Sequence, residues 1–307
     1  MRSRQRRSDL LRILPNYATT NGRQPRNGHF LHQAGRDKLD APPFSPFAVM
    51  MLRPLKTWIR NTSRALGYDI VPLRDVKERD FAIHLGQLFR FLQIDCVFDV
   101  GANVGQYRDF LREKVGYTGM IVSFEPVSRN VAILQQRSVS DPRWEIVGHA
   151  LGSNRSSLPL HVMKSDQFSS FLAPDNTSVP GFNGLNEPDH IETVAVYPLD
   201  EVFPVLQRRL GFRRSYLKLD TQGFDLEVVK GATATLRNIV AMQTEASIIN
   251  IYEGMPGYMD TIRILNDRGF DVSGLYPISR DAGMRLIEFD CVMINRAAVE
   301  AHSTPRA

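Results

Sequence analysis

The 307-residue chain has only two cysteines, two tryptophans and no apolar run approaching the ~18 residues that would cross a bilayer. The sequence therefore offers no candidate transmembrane helix and no disulfide framework. Cys96 and Cys291 each stand inside an apolar, strand-like run, where two reduced core thiols of a cytosolic protein are expected. A basic body is missing as well, although the pI is near 9.3. Residues 1–48 hold nine of the 38 basic side chains and three of the 33 acidic ones, leaving 29 basic against 30 acidic in the remainder. A near-neutral body argues against a surface that tracks nucleic-acid phosphates.

Residues 1–48, rich in Arg, Asn, Gly and Pro, lack any sustained period and are expected to form a disordered tail. Arg6-Arg7 is followed by no apolar segment, which removes a twin-arginine export reading. Initiation at Met50 or Met51 is an alternative account of the tail. Over 49–66, Leu52, Leu55, Ile59 and Leu66 recur near helical spacing, with Arg53, Lys56, Arg60 and Arg64 marking another side. That helix is expected to pack on its own domain, with peripheral contact to an anionic inner membrane face as the alternative. A second helix is predicted over 79–93, so that 49–93 forms an N-terminal helical region ahead of a domain over 94–297. Residues 298–307 read as a short C-terminal tail.

The stretch CVFDVGANVGQ, Cys96 to Gln106, carries the strongest signal. Its apolar, β-forming start predicts a buried central strand. A turn follows that opens with Asp99 and carries Gly101 and Gly105, where glycine lets the backbone bend sharply and approach a bound molecule. A helix is predicted over Tyr107 to Lys114, with its first amides facing that molecule. Further strands are predicted at Met120–Phe124, Trp144–Val147, Tyr216–Asp220 and Ile239–Glu245, and helices from Gly223 through Leu236 and from Tyr258 to Arg268. Phe270–Tyr276 and Ile287–Asn295 read as a closing, hairpin-like pair. Alternation of strands and helices implies an α/β, doubly wound, mostly parallel sheet with helices on both faces. An insertion of about fifty residues, roughly 155–200, interrupts it. The insertion has strand-like pieces at Leu158–Met163 and Thr193–Tyr197 and a loop from Ala173 to Asp189 whose length suggests a functional role.

In such sheets the ligand lies beyond the carboxyl ends of the strands, at the point where strand order reverses. Candidate residues are therefore Asp99, Glu125, His149 or Ala150, Asp220 and Glu245, one set for each strand end. Four carboxylates on one edge suit a cation with hydroxyl groups better than a phosphate, and Glu125 is placed to accept hydrogen bonds from a ribose. GANVG also lacks the G-x-G-x-x-G spacing that admits a pyrophosphate, and no Lys or Arg stands in the turn. S-adenosylmethionine, a phosphate-free sulfonium, fits these constraints.

DVGANVGQY (99–107), IVSFEP (121–126), HALGS (149–153) and YLKLDTQGFDLEVVKGA (216–232) occur in this order. Through them the chain resembles the FkbM family of S-adenosylmethionine-dependent methyltransferases over roughly residues 94–295. The resemblance implies a Rossmann-like methyltransferase sheet with an antiparallel closing strand. It also implies O-methylation of a hydroxyl on a sugar, glycolipid or secondary metabolite. By it, Asp99, Gly101, Asn103 and Gly105 surround the methionine part of the cofactor, Glu125 holds the ribose, and Lys218, Asp220, Gln222 and Gly223 stand beside the reacting centre. Asp225 departs from the family's usual Glu.

The chemistry asks for a base, because a neutral hydroxyl is a poor nucleophile and its proton must leave as the methyl arrives. Asp220 is the first candidate and Glu245 the second, with His149 behind them. Lys218 would keep Asp220 ionised. A divalent ion shared by Asp220 and Glu245 would acidify the hydroxyl, but no His–carboxylate spacing supports one and no metal is assigned. Ser169 to Leu172 is a candidate lining of the acceptor side. Two other classes remain open: a nonenzymatic cofactor-binding or interaction protein on the same fold, and a nicotinamide-dependent oxidoreductase, which the glycine spacing disfavours.

Overall fold

A computed structural model describes residues 76–175 and 187–303, together with scattered positions between 58 and 70. The basic tail expected over 1–48, most of the helix expected over 49–66, and residues 176–186 of the long loop lie outside the described residues. The chain divides into two units, Met1–Glu78 and Arg79–Ala307. In the first, the described positions around 58–65 are helical. The second carries the sheet.

Helix α1 (Val76–Leu92) covers the predicted 79–93. Strand β1 (Cys96–Val100) leads through the glycine loop into α2 (Gln106–Phe110). A single π-helical turn, Leu111–Val115, follows where a continuous helix to Lys114 was expected, and Gly116 closes it in the left-handed conformation. Next come β2 (Met120–Phe124), α3 (Ser128–Ser138) and β3 (Trp144–Val147). β4 (Ala150–Leu151), just ahead of the insertion, pairs with the strands that the insertion supplies, β5 (Ser156–Met163) and β6 (Pro188–Tyr197), in a separate three-stranded sheet. Beyond it lie α4 (Leu199–Leu210), β7 (Ser215–Leu219), α5 (Asp225–Lys230), β8 (Ile239–Ser247), α6 (Tyr258–Asp267), β9 (Phe270–Arg280), β10 (Leu286–Asn295) and α7 (Arg296–Ser303).

The main sheet runs in the order β3-β2-β1-β7-β8-β10-β9. β1, β2, β3, β7 and β8 are mutually parallel, and β10 is antiparallel to both neighbours. The fold is thus the expected α/β doubly wound sheet, mostly parallel with one antiparallel closing strand. Strand order reverses between β1 and β7.

Side chains alternate across a strand, and this alternation separates two cores. Val97, Ile121, Tyr216, Ala241 and Val292 share one face with Phe81, Leu85, Leu88 and Leu92 of α1 and Leu111 of the π turn. Phe98 lies on the other, stacked on Phe203 of α4 at 5.3 Å with Phe212 edge-on at 5.4 Å. Each such buried side chain contributes roughly 1.5–3 kcal/mol.

Besides the π-helical turn, two elements depart from what the sequence predicts. No element was expected over 199–210, yet α4 forms there. Its Leu199, Val202, Phe203 and Leu206 are buried at helical spacing, but Pro198 and Pro204 break the pattern in the sequence. The helix expected from Gly223 through Leu236 stops at Lys230 and resumes as a 3-10 turn, Thr235–Asn238. A Cβ on Gly231 would lie 2.0 Å from the Gly152 carbonyl oxygen, so the chain passes too close to the insertion for a regular helix to continue.

Candidate active site

Pairing across the sheet builds the site. Ser123, Asp99, Lys218 and Gln243 are direct partners on β2, β1, β7 and β8, and so form one buried polar row on the α1 side. Two residues further along each strand, at the carboxyl edge and on the same side, stand Glu125, Gly101, Asp220 and Glu245. Asp290 of β10 lies directly opposite Glu245. The sheet's period of two therefore brings three of the predicted strand-end residues, Glu125, Asp220 and Glu245, into a single file with Gly101.

Lys218 joins the two rows. Its Nζ lies 3.0 Å from Asp99 Oδ1 and 3.2 Å from Asp220 Oδ2, and donates to the Gly101 carbonyl at 3.3 Å. The Tyr107 ring sits over the ammonium at 5.1 Å. Burial works against the charge on Lys218, but Asp220 and Asp99 outweigh it and hold the ammonium protonated. Asp99 is wholly buried, with Ser123 Oγ donating to it at 3.0 Å and Trp144 Nε1 donating to that hydroxyl at 2.9 Å. Asp220 is the accessible partner, its side chain 38% exposed.

The glycine loop is closed by protein. A Cβ on Gly101, at φ +81°, would lie 1.9 Å from the Asp220 carbonyl oxygen, and one on Gly105, at φ +93°, would lie 2.8 Å from the Trp144 ring. These glycines are thus required by the approach of β7 and Trp144. Asn103 has φ 49°. Its amide donates to Glu125 Oε2 at 2.7 Å, and its side-chain oxygen accepts from the Val104 amide at 2.7 Å. The Val127 amide donates to Glu125 Oε1 at 2.8 Å, so each Glu125 oxygen carries one backbone donor and keeps a second acceptor position. Burial raises the Glu125 carboxyl to about 7 against the lowering effect of those two amides.

At the acceptor edge, Gln222 Nε2 lies 3.0 Å from both Asp220 Oδ1 and Glu245 Oε2. Burial, then the neighbouring Asp220, Glu288 and Asp290, push the Glu245 carboxyl well above its ordinary value. Burial raises Asp290 to about 7, with Gln243 donating to it at 2.7 Å. Asp225, at the family's Glu position, turns away from the edge. Its Oδ1 takes the Thr221 amide at 2.8 Å, and its Oδ2 takes the Thr244 hydroxyl at 2.6 Å. Among the described residues, no group of three or more His, Cys, Asp or Glu side chains is arranged to hold a metal ion.

The remaining predicted residues lie outside the two rows. Ala150 packs with Val127, Leu160, Val162, Val194 and Val196 in the core of the small sheet. His149 is buried between Phe124 and Tyr197, and burial lowers it to about 4, which keeps the imidazole neutral. Ser170 is buried with its hydroxyl on the Gln222 carbonyl at 2.7 Å, and Phe171 packs on Phe224. Sequence reasoning passed over Glu288 and Asp290, whose alternation with Phe289 and Cys291 was a usable strand signal. It also missed Tyr252 and the Tyr107–Gln243 hydrogen bond of 2.9 Å, which spans 136 positions and leaves no local trace.

A cation bearing a diol matches this donor set. No basic side chain stands in the glycine loop, the accessible strand ends are acidic, and Glu125 retains acceptor capacity on both oxygens.

The profile of the methyltransferase FkbM domain matches residues 99–272, more than half of the chain. Among curated proteins none matches the sequence. Methyltransferase FkbM from Methylobacillus flagellatus KT is similar in structure at 15% identity and TM-score 0.38, over 66% of this chain and 43% of that one. This chain thus spans less than half of that protein's length. A SAM-dependent methyltransferase from Aquifex aeolicus is similar at 14% identity and TM-score 0.34, over 73% and 94%. The magnesium protoporphyrin IX methyltransferase ChlM from Synechocystis PCC 6803, with bound SAM, is similar at 10% identity and TM-score 0.37, over 81% and 96%.

Proposed function

The chain belongs to the FkbM methyltransferase family, and from that premise we propose that this S-adenosylmethionine-dependent methyltransferase methylates a hydroxyl of a sugar, glycolipid or secondary metabolite. The observation that carries the proposal is the pairing of an accessible carboxylate, Asp220, with a buried ammonium, Lys218, at the switch point of the sheet. The bound donor supplies an electrophilic methyl on a sulfonium. Glu125 and the Asn103 loop hold the ribose side, and Gly101 and Gly105 let the loop close. Asp220 accepts the acceptor's hydroxyl proton as its oxygen bonds to the methyl. The Lys218 ammonium lies 3.2 Å from the Asp220 carboxyl that takes this proton. Glu245, the second candidate base, stands beside Asp220 at this edge, with the Gln222 amide between them.

Asp220→Asn tests this assignment. Calorimetric titration should return the wild-type affinity for S-adenosylmethionine, while methyl transfer from labelled donor to a glycolipid extract falls by a factor of about 10² or more. Transfer at the wild-type rate would remove Asp220 as the base. Absence of donor binding by folded wild-type protein would remove the whole proposal.

A further inference from the structure

Gln222 occupies a conformation that needs explanation. It is a non-glycine residue at φ 53°, a left-handed region that L side chains seldom adopt and that folded proteins keep where the surroundings require it. What the strained backbone achieves is visible in the contacts. One amide nitrogen reaches Asp220 and Glu245 at 3.0 Å each, and so separates two carboxyl groups that would otherwise face one another. Asp220 is then held from both sides, with Gln222 on Oδ1 and Lys218 on Oδ2.

The other end of Gln222 is held just as closely. Tyr252, almost fully buried, places its hydroxyl 2.8 Å from Gln222 Oε1 and 2.9 Å from the Phe168 carbonyl, sharing its one hydrogen between them. The buried Ser170 hydroxyl donates to the Gln222 carbonyl at 2.7 Å and accepts from the Leu172 amide at 3.0 Å. Pro174 bridges to Tyr252, and the Glu253 amide donates to the Ala173 carbonyl at 2.8 Å. The 166–175 segment of the insertion is thereby tied to Asp220 through one side chain.

Resting on the methyl-transfer reading above, we propose that Gln222 is a positioning residue. Clamped by Tyr252 and Ser170, it keeps Asp220 and Glu245 apart and couples the 166–175 segment to the proton-accepting carboxylate. Tyr252 and Ser170 act through Gln222. A shift of the segment on acceptor binding is transmitted to the orientation of Asp220.

Two variants separate this role from a merely structural one. Gln222→Gly removes the amide while relieving the positive φ, and Tyr252→Phe removes only the hydroxyl that fixes the amide. The first readout is the melting temperature of the ligand-free protein from pH 5 to 8. Loss of a donor to carboxylates penalises their ionised forms, so the deficit of each variant against wild type should widen as pH rises. A packing role would give a deficit independent of pH. The second readout uses tritium-labelled S-adenosylmethionine and a glycolipid extract. In Gln222→Gly, kcat should fall at least about tenfold with KM for the donor within about twofold. The acid limb of its pH profile should move up by about one unit. A pH-independent deficit in both variants, or an unchanged rate profile, overturns the proposal. If wild-type protein binds donor but methylates nothing in the extract, the acceptor assignment fails, and the melting series still decides the role of Gln222.

Discussion

Lys218 shows how one residue serves both stability and chemistry. It is nearly fully buried between Asp99 and Asp220, and removing it leaves Asp99 as an uncompensated charge inside the sheet. Lys218→Met should therefore cost about 3–5 kcal/mol in denaturant unfolding, and adding Asp99→Asn should restore part of that loss. Glu125 carries the pH dependence. Its carboxyl rises on folding from 4.5 to about 7, so the folded state prefers the protonated form. The stability it contributes is complete below about 4.5 and disappears as pH climbs through about 7. Asp290, raised from 3.8 to about 7, acts in the same sense, whereas neutral His149 acts oppositely as pH falls below 6.5. Glu125→Gln should flatten the decline of melting temperature between about pH 4.5 and 7, and an unaltered slope would show that Glu125 is ionised in the fold at lower pH.

The element that governs the site is the glycine loop between β1 and α2, and its tightness comes from β7. Gly101→Ala would drive a methyl into the Asp220 carbonyl and impose a left-handed conformation on alanine. A loss of at least about 2 kcal/mol is expected, together with weaker donor binding by calorimetry. Alanine tolerated at that position would mean the loop relaxes away from Asp220. α2 is braced from below. Arg108 and Arg112 converge on Asp141 at 2.5 and 3.0 Å, and Trp144 lies between the guanidinium groups of Arg108 and Arg137. Burial of Asp141 is outweighed by those arginine hydrogen bonds, which hold its carboxyl at about 2. Much of this element level was legible in the sequence. β2 and β3 match their predicted limits, because continuous β-forming runs between turn residues have few alternatives. α4 was not legible, since its prolines break the pattern that its buried Leu199, Val202, Phe203 and Leu206 preserve.

For the molecule as a whole, donor binding should be visible as stabilisation. At a concentration of S-adenosylmethionine about 100 times Kd, linkage predicts about 2.7 kcal/mol, or roughly 5–10 °C in melting temperature for a body of this size. A folded sample whose melting temperature ignores the donor would contradict the family assignment. The acidic edge also predicts selectivity. With Asp220, Glu245, Glu288 and Asp290 close enough to act on one another at this edge, a phosphorylated polyol should compete for the acceptor side far less well than its neutral counterpart.

The amino-acid sequence by itself determined the strand–loop–helix unit, the doubly wound topology and the identity of the acidic residues at the strand ends. Each of these follows from local pattern: apolar runs, glycines at turns and a carboxylate where each run stops. Tertiary structure alone decided what those residues do to one another. Register across four strands put Ser123, Asp99, Lys218 and Gln243 in one row, and burial raised the Glu245 carboxyl while Asp220 stayed open to solvent. The Gln222 clamp joins residues 30 and 52 positions apart in the chain. Protonation and hydrogen bonding depend on distance and desolvation, which arise only when distant segments meet.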